Sequence, residues 1–160
     1  MTSESATPEL GGEPAELDGP HEVLFLPDWV PDTGHSLAKV GVYFGVIRIP
    51  GERGLEVAEL LDTQTTRRPG AIIHRTRGEQ VVHFLTEPGA GEGLRWPPGV
   101  SRLGVSRDDY VSVPALTGDT DPVAWWSPPR HQSVFVDPTI LHAVVCQLTH
   151  WPTAAKAVAT

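Results

Sequence analysis

Cysteine is nearly absent: Cys146 is the only one in 160 residues. No internal disulfide framework and no multi-cysteine zinc site can be built from it. Long apolar runs are missing too, since Val40–Ile47 falls far short of the ~18 residues a membrane span requires. Lys and Arg are absent from the first 32 positions, which carry eight acids. With neither a basic start nor an apolar stretch over 1–20, the sequence does not read as a secretory signal. These absences predict a cytoplasmic, reducing setting without a membrane segment. They also argue against general binding to nucleic acid, because the net charge is −8, the excess acid sits in the first 32 positions and the body is neutral. What is plentiful is turn-forming residue: sixteen glycines and sixteen prolines, a fifth of the chain. That is too loop-rich for a helical bundle and, lacking a fixed period, not collagen-like. The length fits one domain.

The segment 1–20 is polar, acidic and rich in Pro and Gly, which predicts a disordered tail. The body is predicted over 21–150, with a frayed end over 151–160. His21–Ser36 carries Val23, Leu24, Phe25, Leu26, Trp29 and Val30, broken by Pro27 and Pro31, and is expected to pack without a regular ladder. Val40–Ile49 is β-branched and aromatic, as in a central strand buried on both faces. Glu52–Asp62 places Val57, Leu60 and Leu61 at helical spacing. Ala71–Arg75 and Gln80–Leu85 flank a tight turn and predict a hairpin. Further strands are expected at Val100–Val105, Asp109–Val113 and Val123–Trp126. Asp137-Pro138 opens a second helix, with Asp as the cap and Pro at the first helical position. The order β-α-β-β-β-β-β-α predicts an α+β fold, a mostly antiparallel sheet with one or two packing helices.

An ordered set of segments carries a resemblance. Phe44–Pro50 (FGVIRIP), a helix at Gly54–Leu61, Arg77–Leu85 (RGEQVVHFL), Asp108–Pro114 (DDYVSVP) and then a tryptophan follow one another in order. Over roughly 100 residues the chain resembles the N-terminal domain of bifunctional DNA primase/polymerases, the Prim-Pol branch of the archaeo-eukaryotic primases. The resemblance implies an RRM-like core. It also implies nucleotidyl transfer with two metal ions held by carboxylates and a histidine near the incoming nucleotide.

The catalytic positions depart from that pattern. Aligned on Phe44–Pro50, the places of the two acids hold Gly45 and Arg48, and the histidine's place falls at Val81, two residues before His83. Gly99–Ser106, where a third acid belongs, contains none. A cation at Arg48 opposes divalent metal binding. The expectation is a catalytically degenerate primase/polymerase-like domain, with no catalytic residue, no metal and no cofactor, acting in binding or regulation. Its expected partner is a protein or a nucleotide-like ligand, with weak or no binding of duplex DNA. Two alternatives stand beside it. One is an active nucleic-acid-processing enzyme with a displaced carboxylate site at Asp108, Asp109 and Glu79. The other is an accessory factor for single-stranded DNA.

Each candidate has a plainer reading. Arg48 binds a phosphate or carboxylate, or else ends a strand and pairs with Glu52. Arg67, Arg68, Arg75 and Arg77 form the one basic cluster, a clamp for an anionic partner or a solvated hairpin end. His74 and His83 face each other across the hairpin, as incomplete metal ligands or as satisfied sheet residues. Trp125 and Trp126, with Trp29, Trp96, Trp151 and Tyr110, stack bases or meet a partner, or else cover the core and its edges. Cys146, in an apolar helical setting, reads as inert. The run Pro88–Gly93 lacks the Lys and Ser/Thr of a phosphate loop and reads as a connector.

Overall fold

The computed structural model describes residues 26–104 and 109–151. The predicted tail over 1–20, the end over 152–160 and Asp108 lie outside the described residues. Seven strands and two helices are described: β1 (His35–Lys39), β2 (Gly45–Pro50), α1 (Glu52–Gln64), β3 (Ile72–Arg75), β4 (Val81–Thr86), β5 (Ser101–Leu103), β6 (Tyr110–Pro114), β7 (Val123–Ser127) and α2 (Pro138–Thr149). The fold is α+β. Five strands form one antiparallel sheet in the order β5-β2-β4-β3-β7, and β1 pairs with β6 in a separate antiparallel ribbon.

Residue alternation along the strands sorts the side chains into two cores. On one face, Ile47, Ile49, Ile72, Val82 and Phe84 pack against Val57, Ala58 and Leu61 of α1 and Leu141, Val144 and Val145 of α2. On the other, Val46, Ile73 and Leu85 pack against Ala38 of β1, Val111 and Val113 of β6, and Phe44 and Trp29. Trp29 lies edge-on to Phe44, with ring centres 5.0 Å apart, and stacks on Phe135 at 6.2 Å. The sheet is therefore the middle layer, covered by helices on one side and by the ribbon on the other.

The first predicted strand is corrected. Val40–Ile49 is not one continuous strand. Val40 donates to the Asp109 carbonyl at 2.9 Å, Gly41 takes φ 100°, and the Gly41 N–H donates to the Phe44 carbonyl at 2.7 Å, closing a turn. Val42 and Tyr43 stand exposed at its tip, so the apolar run conceals a change of direction between two sheets. His35–Lys39, expected to be irregular in part, is a strand. Its inner residue Ala38 is buried, while its remaining side chains are exposed.

Local chemistry fixes the helices. Gly54 allows α1 to start hard against the sheet, because a Cβ there would lie 2.7 Å from the Ile49 carbonyl oxygen and 2.7 Å from Val82 Cγ2. At α2, the Asp137 carboxylate accepts from the N–H groups of Thr139 (2.8 Å) and Ile140 (3.3 Å), and Pro138 takes the first turn. The Nε2–H of buried His142 donates to the Arg95 carbonyl at 2.6 Å, and its ring meets Trp96 edge-on at 4.9 Å. That bond ties α2 to the segment before β5. Burial raises the pKa of the Cys146 thiol, which lies 3.6 Å from His142 Nδ1 and stays protonated and unreactive.

Gly54→Ala should cost about 1–3 kcal/mol through overpacking, and Asp137→Ala about 1 kcal/mol through loss of the cap. Gly93→Ala should be nearly neutral, because its Cβ would meet nothing within 4 Å. Urea midpoints for the three variants check this ranking, and a Gly54→Ala midpoint equal to that of Gly93→Ala would contradict the close approach of α1.

Candidate functional site

The sheet register builds the site. Arg48 of β2 lies directly opposite His83 of β4, which lies opposite Ile73 of β3, which lies opposite Trp125 of β7. Ser101 of β5 completes the row beside Arg48. All five residues share the ribbon-side face. Arg75 shares that face one row further along. Val46, Ile73 and Leu85 are covered by the ribbon's apolar inner side. Arg48 and His83 remain half-buried and Arg75 is exposed. A cationic strip thus runs from the covered core toward water.

No carboxylate answers this charge among the described residues: neither Arg48 nor Arg75 has an ion-pair or hydrogen-bond partner there. The expected alternative pairing of Arg48 with Glu52 is not formed. Burial, then the charge of Arg48 and then that of Arg75, push the His83 imidazole down to about 4. At neutral pH His83 is therefore uncharged, with one ring nitrogen able to donate and the other to accept. Two guanidinium groups and a neutral imidazole on one sheet face suit an oxyanion, with the arginines supplying charge and the imidazole a hydrogen bond.

The other candidates are dispersed. Arg67 pairs with Asp62 at 2.7 Å, and Arg68 donates to Gln132 Oε1 at 3.0 Å. Arg77 pairs with Asp121 at 3.1 Å, and Asp121 also accepts from the Thr76 hydroxyl at 3.0 Å. Arg67 and Arg68 precede β3 while Arg75 and Arg77 follow its core, so the four do not converge. His74 and His83 do not face each other. His74 is in register with Val82, one position out of step, and points to the helix side. Trp125 and Trp126 point to opposite faces, one packing on each core, and the Trp125 indole N–H donates to the Pro114 carbonyl at 2.9 Å. They form no joint platform for bases.

The positions named by the resemblance fall on β2 and β4. Gly45 begins β2, and Val81 lies buried on the His83 face, two residues away. Asp109 accepts from the Gly104 N–H at 2.8 Å, next to the turn before β2. Glu79 lies in the turn between β3 and β4, near the far end of β2. The whole of β2 separates these two acids. Among the described residues no group of three or more His, Cys, Asp or Glu could hold a metal ion. No helix described is long and apolar enough to cross a membrane. No protein-family model, curated protein or solved structure matches the chain.

The pairing of Arg48 with His83 was missing from the sequence reading. The hairpin turn fixes β3 against β4, but β2 reaches β4 only after a helix and another strand. No local signal therefore gives its register.

The folded-state value of His83 lies below its ordinary 6.5. As pH falls through 6.5 the unfolded chain takes up this proton first, so stability drops until about 4 and then levels off. Burial lowers His74 in the same direction. The urea midpoint of wild type should fall from pH 7 to pH 4.5 more steeply than that of His83→Gln. In an NMR titration, Arg48→Ala should raise the His83 midpoint, and an unmoved midpoint would remove Arg48 as a cause.

Proposed function

We propose that this chain is a primase/polymerase-like domain without polymerase chemistry, which binds a nucleotide-like, phosphate-bearing ligand on the ribbon-side face of its sheet. The observation that carries this reading is Arg48 set opposite His83 with no carboxylate paired to it among the described residues. In the resembling family that strand carries metal-binding acids. Here it carries a cation, which repels Mg²⁺ and attracts the phosphate that the metal would otherwise have bridged. Arg48 holds the phosphate, Arg75 extends the positive strip toward solvent, and His83 orients an oxygen. The family relation, the binding role and the cytoplasmic setting are parts of this same proposal.

The binding step needs no proton transfer. His83 is uncharged well above pH 4, so it adds no pH dependence to affinity between pH 6 and 8. What dependence there is comes from the ligand's terminal phosphate, whose second ionisation lies at ~6, and binding depends on salt through the two arginines.

Calorimetric titration with a nucleoside triphosphate in EDTA tests the binding. Arg48→Ala and Arg75→Ala should each weaken it by about tenfold or more, as expected for loss of a charged hydrogen bond. A primer-extension assay with Mg²⁺ or Mn²⁺ should give no product. Metal-dependent incorporation would overturn the loss of chemistry. Absence of binding, or binding indifferent to both substitutions, would overturn the ligand assignment.

A further inference from the structure

A second feature lies at the other end of β2 and does not depend on the reading above. A hollow of about 230 Å³ is lined by Gly41, Gly45, Gly89, Gly104 and Arg102, with Val46, Ala90 and Leu103 completing the wall. Three separate turns deliver these glycines: the one before β2, the one after β4 and the one after β5. Half of the lining thus has no side chain, so the wall there is backbone.

Two of these positions require glycine for their own close packing or backbone conformation. A Cβ on Gly45 would lie 2.8 Å from Thr86 Oγ1 and 3.2 Å from the Glu87 carbonyl oxygen. Gly104 takes φ 93°, where an L side chain is strained, and its Cβ would lie 3.0 Å from Val40 Cγ1. Among the described residues, Arg102 is the one charged residue in the lining. It is half-buried and, among the described residues, has no hydrogen-bond or ion-pair partner.

Among the described residues, the nearby acids are engaged or line another cavity. The Asp109 carboxylate accepts from the Gly104 N–H. Glu87 lines a different cavity of about 390 Å³, with Asp137 and Pro138 at the start of α2. Without a partner among the described residues, the half-buried Arg102 leaves its charge available to an anion.

We infer that this hollow is a binding site for a small oxyanion, a phosphate or carboxylate group, seated against glycine backbone and neutralised by Arg102. Its volume, below the ~300–1,000 Å³ of drug-sized sites, suits a small metabolite or a terminal phosphate. The site is separate from the Arg48–His83 row. Arg102 lies in register with Ile47, one position out of step with Arg48, and so projects to the opposite side of the sheet.

The test is an amide NMR titration of the full chain with inorganic phosphate, acetate and chloride at matched ionic strength. Phosphate or acetate should shift the Gly41, Gly45, Gly89 and Gly104 amides saturably, and chloride should not. The stronger of the two names the oxyanion class. Arg102→Gln, an edge-strand change that leaves the core untouched, should weaken binding at least tenfold, whereas Arg48→Ala should leave it unchanged. Gly45→Ala should also abolish the shifts, but only its folded spectrum counts, and Arg102→Gln decides the matter if that variant does not fold. Equal shifts with chloride, no saturable shifts, or shifts indifferent to Arg102→Gln would overturn the site. Loss of these shifts in Arg48→Ala would show that the two anion sites are one.

Discussion

The antiparallel register of β2 against β4 is the constraint on which the rest depends. Six residue pairs, from Gly45 with Thr86 to Pro50 with Val81, set which side chains meet the helices and which meet the ribbon. Because side chains alternate with a period of two, a slip of one residue would invert one strand against the other. With β4 held in place, Ile47 and Ile49 would leave the helix side and Arg48 would be driven beneath α1 and α2. The apolar residues on both sides hold the register, and the register holds the arginine opposite the histidine. The charged row is a half-buried step on a core strand, next to the fully buried Val46 and Leu85.

Much of this was legible in the chain. Helix α2 is announced by Asp137-Pro138 and an apolar stripe, and α1 by Val57 and Leu61, because a cap and a period are local properties. The β3–β4 hairpin follows from its turn. The strand lengths at β4, β6 and β7 agree with their β-branched runs. The failures share one cause. The sequence VGVYFGVIRI has a continuous strand's composition, yet a glycine at positive φ splits it between two sheets, and hydrophobicity does not register a turn whose Val42 and Tyr43 face water. The ribbon strand at His35–Lys39 buries only Ala38, so it had no pattern to show.

The site was legible only in its parts. Arg48, His83 and Arg75 could each be singled out as residues, but their meeting depends on which strands become neighbours. β2 is joined to β4 through α1 and β3, and no spacing between positions 48 and 83 states that they are opposed. The reverse holds for Arg67, Arg68 and Arg77. They cluster in sequence, yet Asp62, Gln132 and Asp121 draw them apart in space. Proximity along the chain overstated one cluster and hid the other.

The ribbon over the sheet has a consequence for how the molecule assembles. β1 and β6 pair residues about 70–80 positions apart, from Lys39 with Tyr110 to His35 with Pro114. Closing so large a loop costs chain entropy before any contact forms, whereas β3 and β4 meet across a short turn. The hairpin can therefore consolidate first, whereas the ribbon over Val46, Ile73 and Leu85, like the packing of α2 on α1, waits for distant parts of the chain to meet. A two-stranded ribbon of which β1 buries only Ala38 can open with little local structure lost, and its opening bares the apolar face directly beside the cationic strip.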